Sequence, residues 1–170
     1  MEELGVDFMV VEPLSDESSN HPDPDERVIR NAELKAKSVA DRYPNSLIIG
    51  ADTIVFLDGV FMGKPSSPDD AEKMLGLLSG RTHQVFTGIA VLNTSSGEIH
   101  SGVSKTDVRF KRLSSKVIKS YVASGEPLDK AGSYGIQGDG GAFIQGFSGS
   151  YSNVVGLPLE LVEEFLRKLR

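Results

Sequence analysis

The sequence predicts a single α/β (α+β) domain in which helices flank one mixed β-sheet. Short apolar runs of strand length alternate with segments that carry helix-capping residues, and a two-residue turn signal joins two of the runs. No repeat or low-complexity tract interrupts this pattern. The 170 residues, of which 39% are hydrophobic, suffice for one domain with a sizeable core.

The predicted helices begin at capping residues. Asp23, followed by Pro24 and Glu26, predicts a helix that runs to about Arg42 and ends before Pro44. The same signals predict three further helices, which span Ser67 to Gly80, Ser114 to Gly125, and Pro158 to the end of the chain.

The predicted strands are the apolar runs between the helices, and the strongest signal is the hairpin turn Asp58-Gly59. In chain order the strands are Gly5–Val11, Leu47–Ile49, Ile54–Leu57, Val60–Met62, Val85–Leu92, Ile99–Phe110 and, within a glycine-rich segment, Ala142–Ile144.

Composition excludes several classes of protein. The chain has no cysteine, which excludes disulfides and thiolate metal sites. A net charge of −6 argues against a large nucleic-acid interface, although a small anionic substrate remains compatible with it. The acidic start lacks a signal pattern and no apolar run could span a bilayer, so we expect a cytoplasmic protein without membrane partners.

Asp52 is the first residue whose chemistry conflicts with its predicted position. It ends the apolar run that starts at Leu47, and a carboxylate at the end of a buried strand is costly unless it is paired or binds metal. A catalytic role is favoured over a turn-forming Asp, because strand ends often carry catalytic groups. Lys35 falls beside an apolar helix stripe, where a buried stem with an ammonium that reaches water is favoured over a functional role.

Further cations lie at predicted element ends, and each could also be an ordinary solvated side chain. Lys64, Arg81 and Lys130, together with Lys35, would suit a polyanionic ligand if they converged. In the glycine-rich segment, Gln137 offers an amide that could pair with a base edge, unless this segment is simply a flexible loop.

Familiar catalytic motifs are absent from the sequence. There is no phosphate-binding loop of the G-x-x-x-x-G-K-[ST] type, no G-x-S-x-G and no dinucleotide fingerprint. The histidines, at positions 21, 83 and 100, lack metal-ligand spacing. We therefore expect neither a serine hydrolase nor a histidine-bound zinc site.

Seven short segments, taken in order, resemble the Maf family of nucleotide pyrophosphatases. They are Gly50–Thr53, Leu57–Gly59, Gly63–Pro65, Leu78–His83, Gly125–Gly132, Tyr134–Gly138 and Tyr151–Pro158. Each is weak alone, but the ordered set covers nearly the whole chain and is specific. The resemblance implies one Maf-like domain over residues 1–170, with a mixed sheet, flanking helices and a deep central cleft.

The resemblance also implies an activity, namely hydrolysis of a nucleoside triphosphate to the monophosphate and pyrophosphate. Asp52 matches the family's proposed general base, and Lys35, Lys64 and Arg81 match basic positions suited to the phosphates. A divalent cation, Mg²⁺ or Mn²⁺, is expected to neutralise the triphosphate. The resemblance places it near Asp52 and an acidic pair, Asp16 and Glu17.

Substrate class follows from the same resemblance. The branch that acts on dTTP, UTP and modified pyrimidine nucleotides carries Thr after the catalytic Asp and Gln in the glycine-rich loop, as Thr53 and Gln137 do here. Gln can pair with the adjacent acceptor and donor of uracil or thymine. A homodimer is expected on the same ground.

One departure from the family pattern concerns its first strand and the following S-x-S-P-R-R loop, a motif that this sequence does not contain. Either the start is misassigned or the chain is truncated, and weak or absent activity is expected. Two alternatives to pyrimidine nucleotide hydrolysis stay open. One is a nucleotide-binding but non-catalytic regulator linked to cell division, and the other is an enzyme for deaminated purine triphosphates, against which Thr53 and Gln137 count.

Overall fold

The computed structural model describes residues 5–15 and 19–169. The helices are α1 (Pro24–Ser38), α2 (Pro68–Leu78), α3 (Ser115–Ala123), α4 (Tyr151–Val155) and α5 (Leu159–Lys168). The strands are β1 (Leu47–Leu57), β2 (Val60–Met62), β3 (Thr82–Asn93), β4 (Ile99–Phe110) and β5 (Ile144–Ser148). Short 3₁₀ turns span Ala40–Arg42, Glu126–Asp129, Ala131–Ser133 and Asp139–Phe143.

The helices begin where the capping residues predict. The Asp23 carboxylate accepts hydrogen bonds from the backbone N–H groups of Asp25 and Glu26, and Pro24 occupies the first turn, where a missing N–H costs nothing. Ser67 caps α2 and Ser114 caps α3 in the same way. The predicted α/β class and the flanking helices are confirmed.

The five strands form one antiparallel sheet in the order β2-β1-β3-β4-β5, where the sequence predicted a mixed sheet. The predicted hairpin joins β1 to β2, with Val55 opposite Met62. Its turn places Asp58 at φ 48° and Gly59 at φ 86°, the left-handed region that Gly and Asp tolerate best. Hairpins produce antiparallel pairs, and a second one joins β3 to β4.

The chain divides into two compact units. Unit 1 comprises residues 1–52, 87–104 and 156–170, and unit 2 comprises residues 53–86 and 105–155. Three strands, β1, β3 and β4, contribute residues to both units.

In unit 1, helix α1 lies unusually close to the strands because two glycines allow it. A Cβ added at Gly50 in β1 would lie 2.1 Å from the Ala32 carbonyl oxygen, and one added at Gly88 in β3 would lie 2.3 Å from the Val28 carbonyl oxygen. Apolar side chains of α5 cover a second part of this unit's core, which contains Ile89, Val91, Val162, Phe165, Leu166 and Leu169.

In unit 2, helices α2 and α3 pack over a core that includes an aromatic cluster. The rings of Phe110 and Tyr134 lie 4.7 Å apart in an edge-to-face arrangement, and the His83 ring lies 4.9 Å from Phe110. Leu75 and Leu78 of α2 are fully buried in the same core.

Three predicted elements need correction. The strand at residues 5–11 is not formed, and Phe8, Met9 and Val10 are consecutively exposed, so this run has no buried face to hold it in a sheet. Strand β1 is continuous through Asp52 instead of ending there. The strand predicted at 142–144 is a 3₁₀ turn that leads into β5, while α4 was not predicted at all.

None of the helices in residues 5–15 and 19–169 has both the length and the apolar character needed to cross a membrane.

Candidate functional site

The Asp52 carboxylate lies in the middle of β1, where it is 3% exposed. Helix α1 supplies hydrogen-bond donors to both of its oxygens. Lys35 Nζ lies 2.7 Å from Oδ1, and Asn31 Nδ2 lies 3.0 Å from Oδ2. These two donors hold the carboxylate in one orientation within unit 1.

This arrangement excludes the structural alternatives considered for Asp52 and Lys35, while their catalytic roles stay predictions. Asp52 is inside a strand, so it is not a turn-forming residue. The Lys35 ammonium donates to Asp52 and, at 3.1 Å, to the Ala51 carbonyl, and only 18% of its side chain is exposed. The lysine is therefore paired inward and does not extend its charge into solvent.

Asn31 is the member of this cluster that the sequence prediction missed. Its amide oxygen accepts a hydrogen bond from the Ser19 backbone N–H at 3.1 Å, which turns the amide nitrogen towards Asp52. The available signal was its spacing from Lys35, because residues four apart share one face of a helix. A polar residue at that spacing on a buried face indicates a buried partner.

In unit 2, Lys64 and Lys130 lie near one acidic side chain. The Gly132 N–H donates to the Gly63 carbonyl at 3.0 Å, which ties together the segments that carry the two lysines. Lys130 Nζ lies 2.8 Å from the Asp129 carboxylate. The hydrogen bond from Lys130 is the main cause that holds the pKa of Asp129 below its usual value, and the charge of Lys64 contributes.

Arg81 precedes β3 and pairs with Asp58 in the hairpin turn of the same unit. Both side chains are well exposed, at 43% and 70%. An exposed ion pair contributes little to stability, so the guanidinium can exchange this partner for another anion at small cost.

The two predicted base-reading residues also belong to unit 2. Gln137 is exposed in the glycine-rich segment. Thr53 is half-buried in β1. The structure thus groups Asp52 and Lys35 in one unit, and Thr53, Lys64, Arg81, Lys130 and Gln137 in the other. Their roles towards a substrate stay predictions.

The sequence profile of the family described as Maf-like protein matches residues 1–169. The chain belongs to the Maf family. Among curated relatives, a protein named dTTP/UTP pyrophosphatase from Dictyoglomus thermophilum is 43% identical over 99% of this chain and 89% of its own length. Proteins of the same name from Symbiobacterium thermophilum and Moorella thermoacetica are 47% and 48% identical, over 85% and 84% of their lengths.

His83 belongs to a segment on which the Maf resemblance rests, yet it lies in the core of unit 2 at 1% exposure. Its Nε2 lies 2.8 Å from the Tyr134 hydroxyl, and its Nδ1 has no hydrogen-bond partner in the described part of the chain. Burial lowers the pKa of His83 to about 4, so the ring is neutral at physiological pH. This histidine is a core residue and not a phosphate ligand.

The described residues of this Maf chain do not form a metal site by themselves. No group of three or more acidic or histidine side chains that could hold a metal occurs within residues 5–15 and 19–169. Asp16 and Glu17, which were predicted as metal ligands, lie outside the described residues. Asp52 is thus the one predicted metal ligand within the described ranges, and its role towards a metal stays a prediction.

Proposed function

We propose that this Maf-family chain hydrolyses dTTP and UTP to the nucleoside monophosphate and pyrophosphate. The observation that carries the proposal is the buried Asp52 carboxylate, which accepts hydrogen bonds from Lys35 and Asn31. The support from relatives is that proteins 42–48% identical over nearly the whole chain are named dTTP/UTP pyrophosphatases.

In this proposal Asp52 is the general base. A water molecule attacks the α-phosphorus, its proton passes to the Asp52 carboxylate, and the bond from the α-phosphorus to the bridging oxygen breaks to release pyrophosphate. Hydrogen bonds from Lys35 and Asn31 fix the orientation of the carboxylate before the reaction.

Three cations of unit 2 bind the triphosphate. Lys64, Arg81 and Lys130 supply positive charge for its oxygens, and Arg81 leaves Asp58 to do so. Asp52, together with Asp16 and Glu17, would hold a Mg²⁺ or Mn²⁺ ion, which would supply positive charge to the phosphates and the leaving pyrophosphate. Gln137 pairs with the base through its amide, and Thr53 contributes to substrate binding.

The remaining parts of the proposal concern setting and partners. We propose a cytoplasmic homodimer, as the Maf resemblance implies. We also propose that it does not bind nucleic acid, because a net charge of −6 disfavours contact with phosphate backbones. Sedimentation tests the dimer, and a monomer in solution would overturn that part. Filter binding tests the nucleic-acid expectation, and retention of DNA by the protein would overturn it.

The test is pyrophosphate release from dTTP and UTP, measured for the wild type and for Asp52→Asn. Loss of a general base typically lowers the rate by about 10²–10⁴-fold. Asp41→Asn is the matched control, because Asp41 is an exposed aspartate of unit 1 outside the cluster. Hydrolysis in ¹⁸O-labelled water should place the label in the monophosphate, which reports attack at the α-phosphorus.

Two outcomes would overturn the proposal. Equal release by the wild type and Asp52→Asn would show that another group activates water. No release from any nucleoside triphosphate, with binding of dTTP retained, would make this chain a non-catalytic nucleotide-binding protein.

A further inference from the structure

The glycine-rich segment that carries Gln137 is held by a carboxylate from a distant part of unit 2. Glu126 Oε2 accepts a hydrogen bond from the Asp139 backbone N–H at 3.1 Å, and Oε1 accepts one from the Gly140 N–H at 3.4 Å. Oε1 also accepts the Tyr121 hydroxyl at 2.9 Å. One side chain therefore connects α3 to the segment directly after Gln137.

The glycines of this segment are required by that contact. A Cβ added at Gly138 would lie 2.2 Å from Glu126 Oε1, and one added at Gly140 would lie 2.6 Å from the Tyr121 hydroxyl oxygen. Gly138 could not carry a side chain while the carboxylate stays in place, nor could Gly140 while the Tyr121 hydroxyl does. A flexible loop, the alternative considered for this segment, is not compatible with its close packing against Glu126 and Tyr121.

The carboxylate is held in its charged form. Partial burial raises the pKa of Glu126, but hydrogen bonds from Tyr121, Asp139 and Gly140 together lower it below the usual value. Burial, and then the bond to Glu126, raises the pKa of Tyr121, so this hydroxyl remains a donor. Hydrogen bonds to an ionised acceptor are stronger than neutral ones, which makes Glu126 an effective anchor for two backbone amides.

We propose that Glu126 is a positioning residue that holds the Gln137 amide in the orientation that reads the base, and so sets the preference for uracil and thymine over other bases. This inference rests on the proposed function, because it assumes that Gln137 contacts the base. Glu126 itself lies two 3₁₀ turns earlier in the chain and acts through the backbone of Asp139 and Gly140.

The variant that tests it is Glu126→Gln, which preserves shape but replaces one acceptor oxygen by an NH₂ group. Affinities are measured by calorimetry for α,β-imido analogues of UTP, CTP and ATP, which cannot be cleaved at the α–β bond. We expect affinity for the UTP analogue to fall about 10- to 100-fold, as small misplacements of positioning groups do. Affinity for the other two should change much less, so that selectivity collapses.

A double-mutant cycle separates positioning from general structural damage. Gln137→Ala should lose the same selectivity, and the double variant should bind the UTP analogue no more weakly than Gln137→Ala alone. Hydrogen exchange at the Asp139 and Gly140 amides should speed up in Glu126→Gln. Glu72→Gln is the matched control, because this unit 2 carboxylate accepts no hydrogen bond within the described ranges.

The outcomes are distinguishable from those of the activity test. Unchanged selectivity in Glu126→Gln, or equal loss of affinity for all three analogues with additivity towards Gln137→Ala, would overturn this inference alone. If the wild type binds none of the analogues, the proposed function falls together with it. Pyrophosphate release that survives Asp52→Asn would overturn the proposed mechanism and leave the binding result standing.

Discussion

Replacing Gly50 by alanine should damage both stability and activity, because this glycine determines how close α1 comes to β1. The added Cβ would lie 2.1 Å from the Ala32 carbonyl oxygen and 2.9 Å from the Ala36 nitrogen. Ordinary contacts of this kind require roughly 3.4 Å or more, and both atoms belong to helix backbone. The helix must therefore move by about 1 Å, since no side-chain rotation can relieve the clash.

The displacement has two measurable consequences. Overpacking of this kind typically costs about 1–3 kcal/mol, and a backbone clash should lie at the upper end of that range. Because Asn31 and Lys35 move with α1, their hydrogen bonds to Asp52 lengthen. A shift of about 1 Å in catalytic geometry can lower the rate by about 10²-fold.

Urea unfolding and pyrophosphate release measure these effects in parallel. Gly76→Ala is the matched control, because Gly76 lies in α2 with no atom within 4 Å of an added Cβ. Its replacement should raise stability by about 0.5–1 kcal/mol and leave turnover unchanged. The reasoning is refuted if Gly50→Ala unfolds within about 0.5 kcal/mol of the wild type and retains its turnover.

Further outcomes follow from individual contacts. The neutral, buried His83 contributes its full stabilisation above pH 6.5. As pH falls from 6.5 towards its folded pKa of about 4, up to about 3 kcal/mol of the free energy of unfolding is lost. Urea titrations should show a flatter pH dependence of this free energy for His83→Gln, and identical slopes would contradict the expectation. Asp58→Asn keeps the turn but removes the charge that pairs with Arg81. KM for UTP should therefore fall by up to about fivefold without change in kcat. A higher KM would count against a phosphate-binding role for Arg81. EDTA should abolish pyrophosphate release and Mg²⁺ should restore it, and release that persists in EDTA would exclude the expected metal. The double variant Asp52→Leu, Lys35→Met should lose less stability than either single variant. Each single change leaves one buried charge without its partner, which costs about 3–5 kcal/mol. A double variant that unfolds at lower urea than the single variants would refute this.

Local signals in the sequence predicted local structure well. Asp23, Ser67 and Ser114 cap the helices at which they were placed, and Asp58-Gly59 forms the predicted hairpin turn. Each of these features depends on hydrogen bonds and backbone angles within a few residues. Neighbouring residues are sufficient to specify them.

Features that depend on distant partners were predicted less well. The run Gly5–Val11 has strand composition, but the described chain provides it with no neighbouring strand. Asp52 was singled out by its chemistry, yet its position inside β1 follows from pairing that the local sequence does not show. Asn31 was missed because its contact with Asp52 depends on how closely α1 approaches β1. That approach is allowed by Gly50, which is distant from Asn31 in the sequence.

The Asp52 cluster is better explained by chemistry than by stability. A buried ion pair rarely stabilises a fold relative to apolar side chains of similar volume, because desolvation of both charges offsets their attraction. Here Asp52 is an acidic residue among the mostly apolar side chains of β1. Its carboxylate accepts hydrogen bonds from Asn31 and Lys35, and Gly50 allows their helix to come close. A buried carboxylate that is fixed in one orientation fits the general-base role proposed for Asp52.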